Sequence, residues 1–478
     1  MKIELNIDSE EFLYESRILV NSFLSEAGQK DGASEYEDKV LSVQIGGKDI
    51  TVSCGDISFT GMPEGTEKKY RKAELKRLIY KVMRELTGRE LPWGALTGIR
   101  PTKLAMGMLE ENSQVSDREI YQFLKEKYLV SDEKIALSIE IARREKEILK
   151  SVDYREGYSL YIGIPFCPTT CLYCSFPSYP IGAYAKKADA YVDALIREID
   201  YAAEQFQDKK LNSVYIGGGT PTTLEPDQLD RLLGAVREKF DFQYNQEFTV
   251  EAGRPDSITG EKLQVLKKHG VTRISINPQT MNQKTLDIIG RYHTVEQVRD
   301  AFALARSMGF DNINMDFIAG LPGETMEDIR HSMDEAEKLN PDSITIHSLA
   351  IKRAARLNIF RDQYKEMTME NNMEIMDMCS RYAERMDMKP YYMYRQKNMA
   401  GNMENVGYAR KSKAGIYNIL IMEEKQTILA LGAGAVTKCV LHDKNRIERV
   451  ENVKNVDQYI ARIDEMIERK KRFFDGII

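Results

Sequence analysis

Three cysteines, Cys167, Cys171 and Cys174, stand in the segment C-P-T-T-C-L-Y-C at the end of an apolar run. The chain holds only six cysteines in 478 residues, so three within so short a span are not what scattering would give. Three thiolates fall one short of closing a tetrahedral zinc site. They suit a cubic iron–sulfur cluster with one iron left open, because thiolates are the usual ligands of such clusters. An open iron can bind a small molecule and pass it an electron. A structural zinc would need a fourth ligand from a distant His or Cys, and the plainest alternative is three buried thiols at a loop. Cys54, Cys379 and Cys439 have no local partner and read as buried small hydrophobes.

The elements that must carry this triad follow from the texture after Tyr158, which alternates strand and helix. Expected strands are Leu160–Pro165, Ser213–Ile216, Glu247–Glu251, Arg273–Ile276, Asn312–Ile318 and Ser343–His347. Expected helices are Ala190–Phe206, Leu229–Phe240, Glu261–His269, Val295–Ser307 and Met326–Leu339. This alternation implies parallel strands with crossover helices, in an open barrel or a doubly wound sheet. Either way the chemistry belongs at the carboxyl ends of the strands. The triad follows the first strand and Gly217-Gly-Gly-Thr-Pro221 the second. Glu251 ends the third, Gln279 follows the fourth, Asp316 lies in the fifth and His347 near the end of the sixth.

Before this region, Lys2 to Ile7 and Val40 to Val52 alternate like strands. Leu75, Leu78, Ile79, Val82, Met83 and Leu86 then fall at helical spacing, with Gly88 as a stop. That helix carries a dense basic face from Lys68 to Arg84 with interspersed glutamates, which reads as a solvated face or as a docking surface for RNA or an acidic ligand. Ser116 and Glu119 form a capping-box pattern, and a helix is expected over Asp132–Leu149. Leu91–Lys103 reads as an ordered loop around the only Trp. The last helix, about Val456–Phe473, is strongly charged and is expected on the surface. The expected domains are 1–150, 151–351 and 352–478.

Composition bounds the rest. Hydrophobic content of 42% and charged content of 30% are those of a globular protein, and a net charge of −6 gives no global drive toward nucleic acid. The amino terminus lacks a basic region before an apolar run, and no stretch is long and apolar enough to span a bilayer. Few cysteines and no export signal point to a reducing cytoplasm, and an exposed open cluster points to low-oxygen physiology. Gly217–Gly219 matches neither a dinucleotide fingerprint nor a P-loop. Three glycines let backbone approach a ligand closely, so its amides are expected to hold an amino or carboxylate group.

Leu160-Tyr-Ile-Gly-Ile-Pro-Phe-Cys-Pro-Thr-Thr-Cys-Leu-Tyr-Cys174, with Gly217-Gly-Gly-Thr-Pro-Thr222, resembles the radical S-adenosylmethionine (SAM) superfamily. Within it the chain is similar to the oxygen-independent coproporphyrinogen III oxidase group over about residues 155–350. Leu91–Leu104 and Tyr392–Gly407 resemble flanking segments of the branch called coproporphyrinogen dehydrogenase HemZ. The resemblance implies a partial (β/α)6 radical SAM barrel, with a mixed α/β domain before it and a helical or α+β tail after it. It implies that Cys167, Cys171 and Cys174 hold a [4Fe–4S] cluster whose fourth iron binds SAM. Tyr161 would lie near SAM, and Gly218, Gly219 and Thr220 would receive its amino end or a second SAM. Glu251, Gln279, Arg291 and Asp316 match polar SAM-contacting positions, and Ala350 an adenine contact. Carboxylates suit ribose hydroxyls and ammonium groups, and Arg291 suits a carboxylate.

The implied reaction begins with reductive cleavage of SAM to methionine and a 5′-deoxyadenosyl radical. A hydrogen atom leaves the β-carbon of a propionate. Carbon dioxide and one more electron follow, leaving a vinyl group. Two such events convert coproporphyrinogen III to protoporphyrinogen IX in heme biosynthesis. A tetrapyrrole substrate and an electron donor such as flavodoxin or ferredoxin are the implied partners, with no membrane. Lys352, Arg353, Arg356 and Arg395 are candidates to hold the substrate carboxylates. In the oxidases a fourth cysteine follows the triad by two positions, where this chain has Phe176. The heme-chaperone branch also has Phe there, but its His-Asn-x-x-Tyr stretch is replaced here by Tyr417-Asn418 without the following Tyr. A heme-binding chaperone, a radical SAM enzyme acting on another tetrapyrrole, such as a heme-opening methyltransferase, and an RNA-modifying role through the basic helix are the alternatives.

Overall fold

The computed structural model describes residues 3–24, 39–98, 100–364, 366–396, 399–444 and 446–476. Lys2, at the start of the first expected strand, and Ile99 and Lys397, in the two flanking segments, lie outside them. The chain divides into two compact units. The smaller comprises Met1–Arg143, Glu370–Glu374 and Met393–Glu404, and the larger Arg144–Met369, Ile375–Tyr392 and Asn405–Ile478. Residues beyond 352 thus contribute to both.

The smaller unit opens with β1 (Ile3–Ile7), α1 (Glu10–Leu24), β2 (Lys39–Ile45), β3 (Ile50–Cys54), β4 (Ile57–Gly61) and α2 (Lys68–Thr87). The four strands form one sheet in the order β1-β2-β3-β4, with β1 and β2 parallel. Alternation along the strands gives the sheet one apolar face. Leu41, Val43 and Val52 on that face pack with Leu19 and Phe23 of α1 and Ile79, Val82 and Met83 of α2. Gly88 ends α2 in the left-handed conformation at φ 66°, where a side chain would be strained. Then come α3 (Thr102–Glu111), α4 (Asp117–Tyr128) and α5 (Asp132–Leu149). The Ser116–Glu119 capping box opens α4, with Ser116 N–H donating to Glu119 Oε2 at 2.8 Å.

The larger unit is built on an eleven-stranded open sheet, with β13 (Lys389–Tyr394) and β17 (Arg446–Glu451) at its edges. Its core strands are β5 (Gly157–Ile164), β8 (Lys210–Gly218), β9 (Glu247–Glu251), β10 (Arg273–Ser275), β11 (Ile313–Ala319) and β12 (Ser343–Ser348). They lie side by side in chain order and are parallel. Between β5 and β8 run the short strands β6 (Phe166–Cys167) and β7 (Tyr179–Pro180) and helix α6 (Ile181–Gln205), which begins nine residues before the expected Ala190. The crossovers α7 (Pro226–Lys239), α8 (Gly260–Lys268), α9 (Gln283–Ile288), α10 (Val295–Ser307) and α11 (Met326–Leu339) follow. The strands read as near-continuous apolar runs because helices cover a parallel sheet. This is the expected partial (β/α)6 arrangement, and the sheet is not closed into a barrel.

The tail adds α12 (Arg356–Ile359), α13 (Arg361–Tyr364), α14 (Met373–Arg385), β13 (Lys389–Tyr394), β14 (Asn405–Ala409), α15 (Ile416–Glu423), β15 (Thr427–Leu431), β16 (Val436–Leu441) and β17 (Arg446–Glu451). β15 joins β5 as a seventh parallel strand, Ala430 opposite Tyr161. No local pattern signals this pairing, since the two strands lie some 270 residues apart. The last helix differs from expectation in two ways. It breaks at Arg462 into α16 (Val456–Ala461) and α17 (Ile463–Asp475). Its charges are also not all solvated: Lys470 is fully buried and donates to Glu198 Oε1 of α6 at 2.7 Å. Tyr459 and Asn452 also donate to Glu198, so the buried charge has a full set of partners.

Candidate cluster and cofactor site

The triad sits in the loop between β5 and α6, and all three thiols are free and partly exposed. Main-chain bonds fix the loop to neighbouring strand ends. Gly219 N–H donates to Ile164 O and Thr220 N–H to Phe166 O, both at 2.7 Å. Leu172 N–H donates to Ile289 O, and Thr169 Oγ1 to Gly290 O at 2.8 Å. Arg254, buried beyond the end of β9, forks onto Asp256 and donates to Thr169 Oγ1 at 3.0 Å. Sequence reasoning did not single it out.

Each sulfur faces a donor. Thr220 Oγ1 lies 3.8 Å from Cys167 Sγ, Arg291 Nη1 lies 3.9 Å from Cys171 Sγ, and the Phe176 N–H faces Cys174. Burial, with the neighbouring thiols, pushes Cys167 up to about 12, and burial raises Cys174. Metal binding displaces such protons and brings the positive charge the thiolates lack. The donor set fits a thiolate-held iron–sulfur cluster. Among the described residues, no three His, Cys, Asp or Glu side chains converge as they would on a single metal ion.

Gly217–Gly219 leaves no room for side chains. A Cβ on Gly217 would sit 2.8 Å from the Tyr215 ring and 3.0 Å from the Glu251 carboxylate. One on Gly219 would sit 2.5 Å from Phe166 O and 3.0 Å from Cys167 Sγ. Gly218 has φ 104°. The glycines therefore let β8 close against the cysteine loop. The expectation that their amides receive a ligand is corrected in part, because the Gly219 and Thr220 amides are spent on that loop.

The other expected residues gather at the same strand ends. Tyr161 and Tyr215 are register partners on β5 and β8, their rings stacked at 6.4 Å, and Tyr417 of α15 stacks on Tyr215 at 4.5 Å. Tyr215 donates to Glu251 Oε1 at 2.5 Å. Burial, reinforced by Asp316 and opposed by the Tyr215 bond, pushes the Glu251 carboxyl up to about 7. Burial also acts to raise Asp316, but His347 outweighs it with help from Asn314 and Thr345, and its pKa is lowered. His347 Nε2 stands 3.7 Å from Asp316 Oδ2, and Asn314 Nδ2 donates to Oδ1 at 2.7 Å. Gln279 is a non-glycine residue at φ 70°, with its amide bonded to Asp316 O and its carbonyl to Ile318 N, both at 2.9 Å. Ala350 lies two residues beyond β12, after Leu349 N–H has bonded Ala319 O.

Arg291 departs from its expected role. It is buried, and its Nη2 donates to Gly253 O at 2.8 Å and to Asn277 O, while Nη1 faces Tyr173 and Cys171. It joins the strand ends to the cysteine loop. Arg395 departs too: it is buried in the smaller unit on Leu96 O and Asn402. Lys352 stands 5.4 Å from the centre of the Phe176 ring, while Arg353 and Arg356 are exposed. Tyr215 was missed, because its strand is a near-continuous apolar run in which no alternation marks one face.

With this geometry in place, comparison with known proteins matches residues 161–336 to the radical SAM superfamily. The oxygen-independent coproporphyrinogen-III oxidase-like protein HemZ of Bacillus subtilis is 40% identical, over 96% of this chain and 95% of that protein. The chain belongs to the radical SAM superfamily. Its place there is the HemN/HemZ/HemW family. As a radical SAM protein its cofactors are a [4Fe–4S] cluster and S-adenosylmethionine. The heme chaperone HemW of Bacillus subtilis is 37% identical over 41% of this chain and 51% of its own length. The solved structure of coproporphyrinogen III oxidase HemN from Escherichia coli superposes with a TM-score of 0.51 at 24% identity, covering 67% of this chain and 73% of that one, which shows a common fold. No helix among the described residues is long and apolar enough to cross a membrane.

Proposed function

We propose that this radical SAM protein carries out the oxygen-independent oxidative decarboxylation of coproporphyrinogen III to protoporphyrinogen IX in heme biosynthesis. The observation that carries this reading is the end-to-end similarity to an oxidase-like relative. When bound, the cluster and SAM supply the one-electron chemistry needed to take a hydrogen atom from an unactivated carbon.

The chain's own residues bind and orient. Cys167, Cys171 and Cys174 hold the cluster, with Thr220, Arg291 and the Phe176 amide donating to their sulfurs. Tyr161, Gly218, Gly219, Thr220, Glu251, Gln279, Asp316 and Ala350 line the SAM site. The amino end is met by the glycine carbonyls and by Glu251 rather than by amides. Lys352, Arg353 and Arg356 meet the propionates of the tetrapyrrole. A flavodoxin or ferredoxin supplies the electron, in a cytoplasmic setting.

Phe176 favours one second reading, a heme-binding chaperone. Against it, Tyr417 is buried in the tyrosine stack and offers no ligand to heme iron. The deciding experiment is anaerobic turnover with reconstituted cluster, SAM, a reductant, an electron acceptor and coproporphyrinogen III, followed by mass spectrometry. Stepwise loss of two carboxyl groups that needs SAM and disappears in Cys171→Ala is the expected result. Formation of 5′-deoxyadenosine with the porphyrinogen untouched would overturn the substrate assignment. Saturable heme binding by the same preparation would then favour the chaperone.

A further inference from the structure

The basic face of α2 is largely neutralised. Lys68 pairs with Glu11 at 2.9 Å, Lys69 with Glu67 at 3.0 Å, Lys72 with Glu15 and Arg77 with Glu74 at 2.7 Å. Lys76 has no such pair, and unlike Arg71 and Lys81, which meet Gly46 O and the Phe59 ring, it turns into the fold. Its ammonium turns inward to one acceptor, Thr97 Oγ1, and no carboxylate lies within ion-pair distance of it among the described residues. An ammonium has three donors, so two remain for something else.

Arg395 approaches the same loop from the second flanking segment. It donates to Leu96 O at 2.7 Å and to Asn402 O at 3.2 Å, and its guanidinium stands 5.7 Å from the centre of the Trp93 ring. Its Nε is buried with no acceptor. The carboxylate in its field, Glu404, is already engaged by Trp93 Nε1 and Lys134 Nζ, both at 2.7 Å. Glu15, the carboxylate in the field of Lys76, is likewise engaged by Lys72, so two cations flank consecutive loop residues, Leu96 and Thr97, without an ion pair of their own. Burying charge without a counter-charge is strongly unfavourable. Leu96, Thr97 and Arg395 lie in the two flanking segments that the sequence singled out. Gly98, next in the loop, is exposed, with open space where its side chain would be.

We propose that Lys76 and Arg395, with the Leu96–Gly98 loop, form a binding site for a small oxyanion, a carboxylate or phosphate group. The anion supplies the counter-charge and fills the open donors of both side chains. A planar guanidinium beside a point-charge ammonium suits an oxyanion better than a halide. Burial, aided by Lys72 and Arg395 and only partly opposed by Glu15, holds Lys76 down at about 8, and burial, partly opposed by Glu404, holds Arg395 at about 10. The site belongs to the smaller unit and does not depend on the reading of the cluster site.

The test is calorimetric titration of the full-length protein with inorganic phosphate and with succinate, at constant ionic strength in chloride. Saturable binding is expected for at least one, at least about tenfold weaker in Lys76→Met and Arg395→Lys and unchanged in Lys69→Met. Phosphate alone would mark a phosphorylated ligand, and succinate alone a carboxylate. Absence of saturation by either, or equal binding by Lys76→Met, would overturn the proposal. If a variant does not fold, acylation of Lys76 in the unaltered chain, followed by peptide mass spectrometry, probes the same site. Several-fold protection by phosphate or succinate is expected, and an unaltered rate with both would reject the site.

Discussion

Glu251 is the residue whose environment makes the sharpest solution prediction. Its carboxyl is held near 7 in the fold by burial, against an ordinary value of 4.5. Between those values the folded chain binds a proton that the unfolded chain has lost. This contribution to stability is present at acid pH and is lost as pH rises from 4.5 through 7. Glu251→Gln is expected to be more stable than the parent at pH 8, by about 1–2 kcal/mol after allowance for solvent screening, and to match it at pH 4.5. Calorimetry at the two pH values checks this. If the ionised carboxylate receives the cofactor, SAM affinity rises about tenfold between pH 6 and 8 in the parent and is flat in Glu251→Gln, as equilibrium binding will show. Cys171→Ala bears on the same site through metal: iron content and cluster absorbance are expected to fall to background while far-UV circular dichroism is retained.

At the scale of elements, the end of β8 is the narrowest fit. Gly219→Ala would place a methyl 2.5 Å from Phe166 O, a backbone atom that cannot rotate away. The cysteine loop must then shift, and about a tenfold or greater loss of cluster-dependent SAM cleavage is expected, with the secondary structure intact. On the outer layer, α17 is fastened to α6 by the Lys470–Glu198 pair. Lys470→Met leaves Glu198 charged and short of a partner, at a cost of about 3 kcal/mol in urea unfolding, and adding Glu198→Gln should recover most of it. These elements differ in how readily their sequences declare them. The parallel strands and their crossovers were legible because each is a run of strand formers bounded by a turn. The burial of Lys470 was not, since a lysine inside a charged helix carries no local sign of a glutamate some 270 positions away.

For the whole molecule, the single Trp offers a probe of one unit. Trp93 donates to Glu404, which also holds Lys134, and all three are buried in the smaller unit. Glu404→Ala strands the Lys134 ammonium in an apolar setting, and a loss of about 3–5 kcal/mol is expected in unfolding followed by Trp fluorescence. An unshifted midpoint would mean that the fluorescence change reports something other than this buried triad.

By itself the sequence determined the alternation of strands and helices, the placement of polar residues at strand ends, the cysteine triad and the superfamily these imply. All are encoded in short windows, because local periodicity and ligand spacing are properties of neighbouring residues. Only the tertiary structure decided what depends on distant parts of the chain meeting. It added β15 as a seventh parallel strand, stacked Tyr417 on Tyr215, spent the Gly219 and Thr220 amides on the cysteine loop and drew Arg291 and Arg395 onto backbone carbonyls. An arginine's residue type says that it will find acceptors. Whether these belong to a ligand or to the chain is fixed by which carbonyls the fold leaves unpaired beside it.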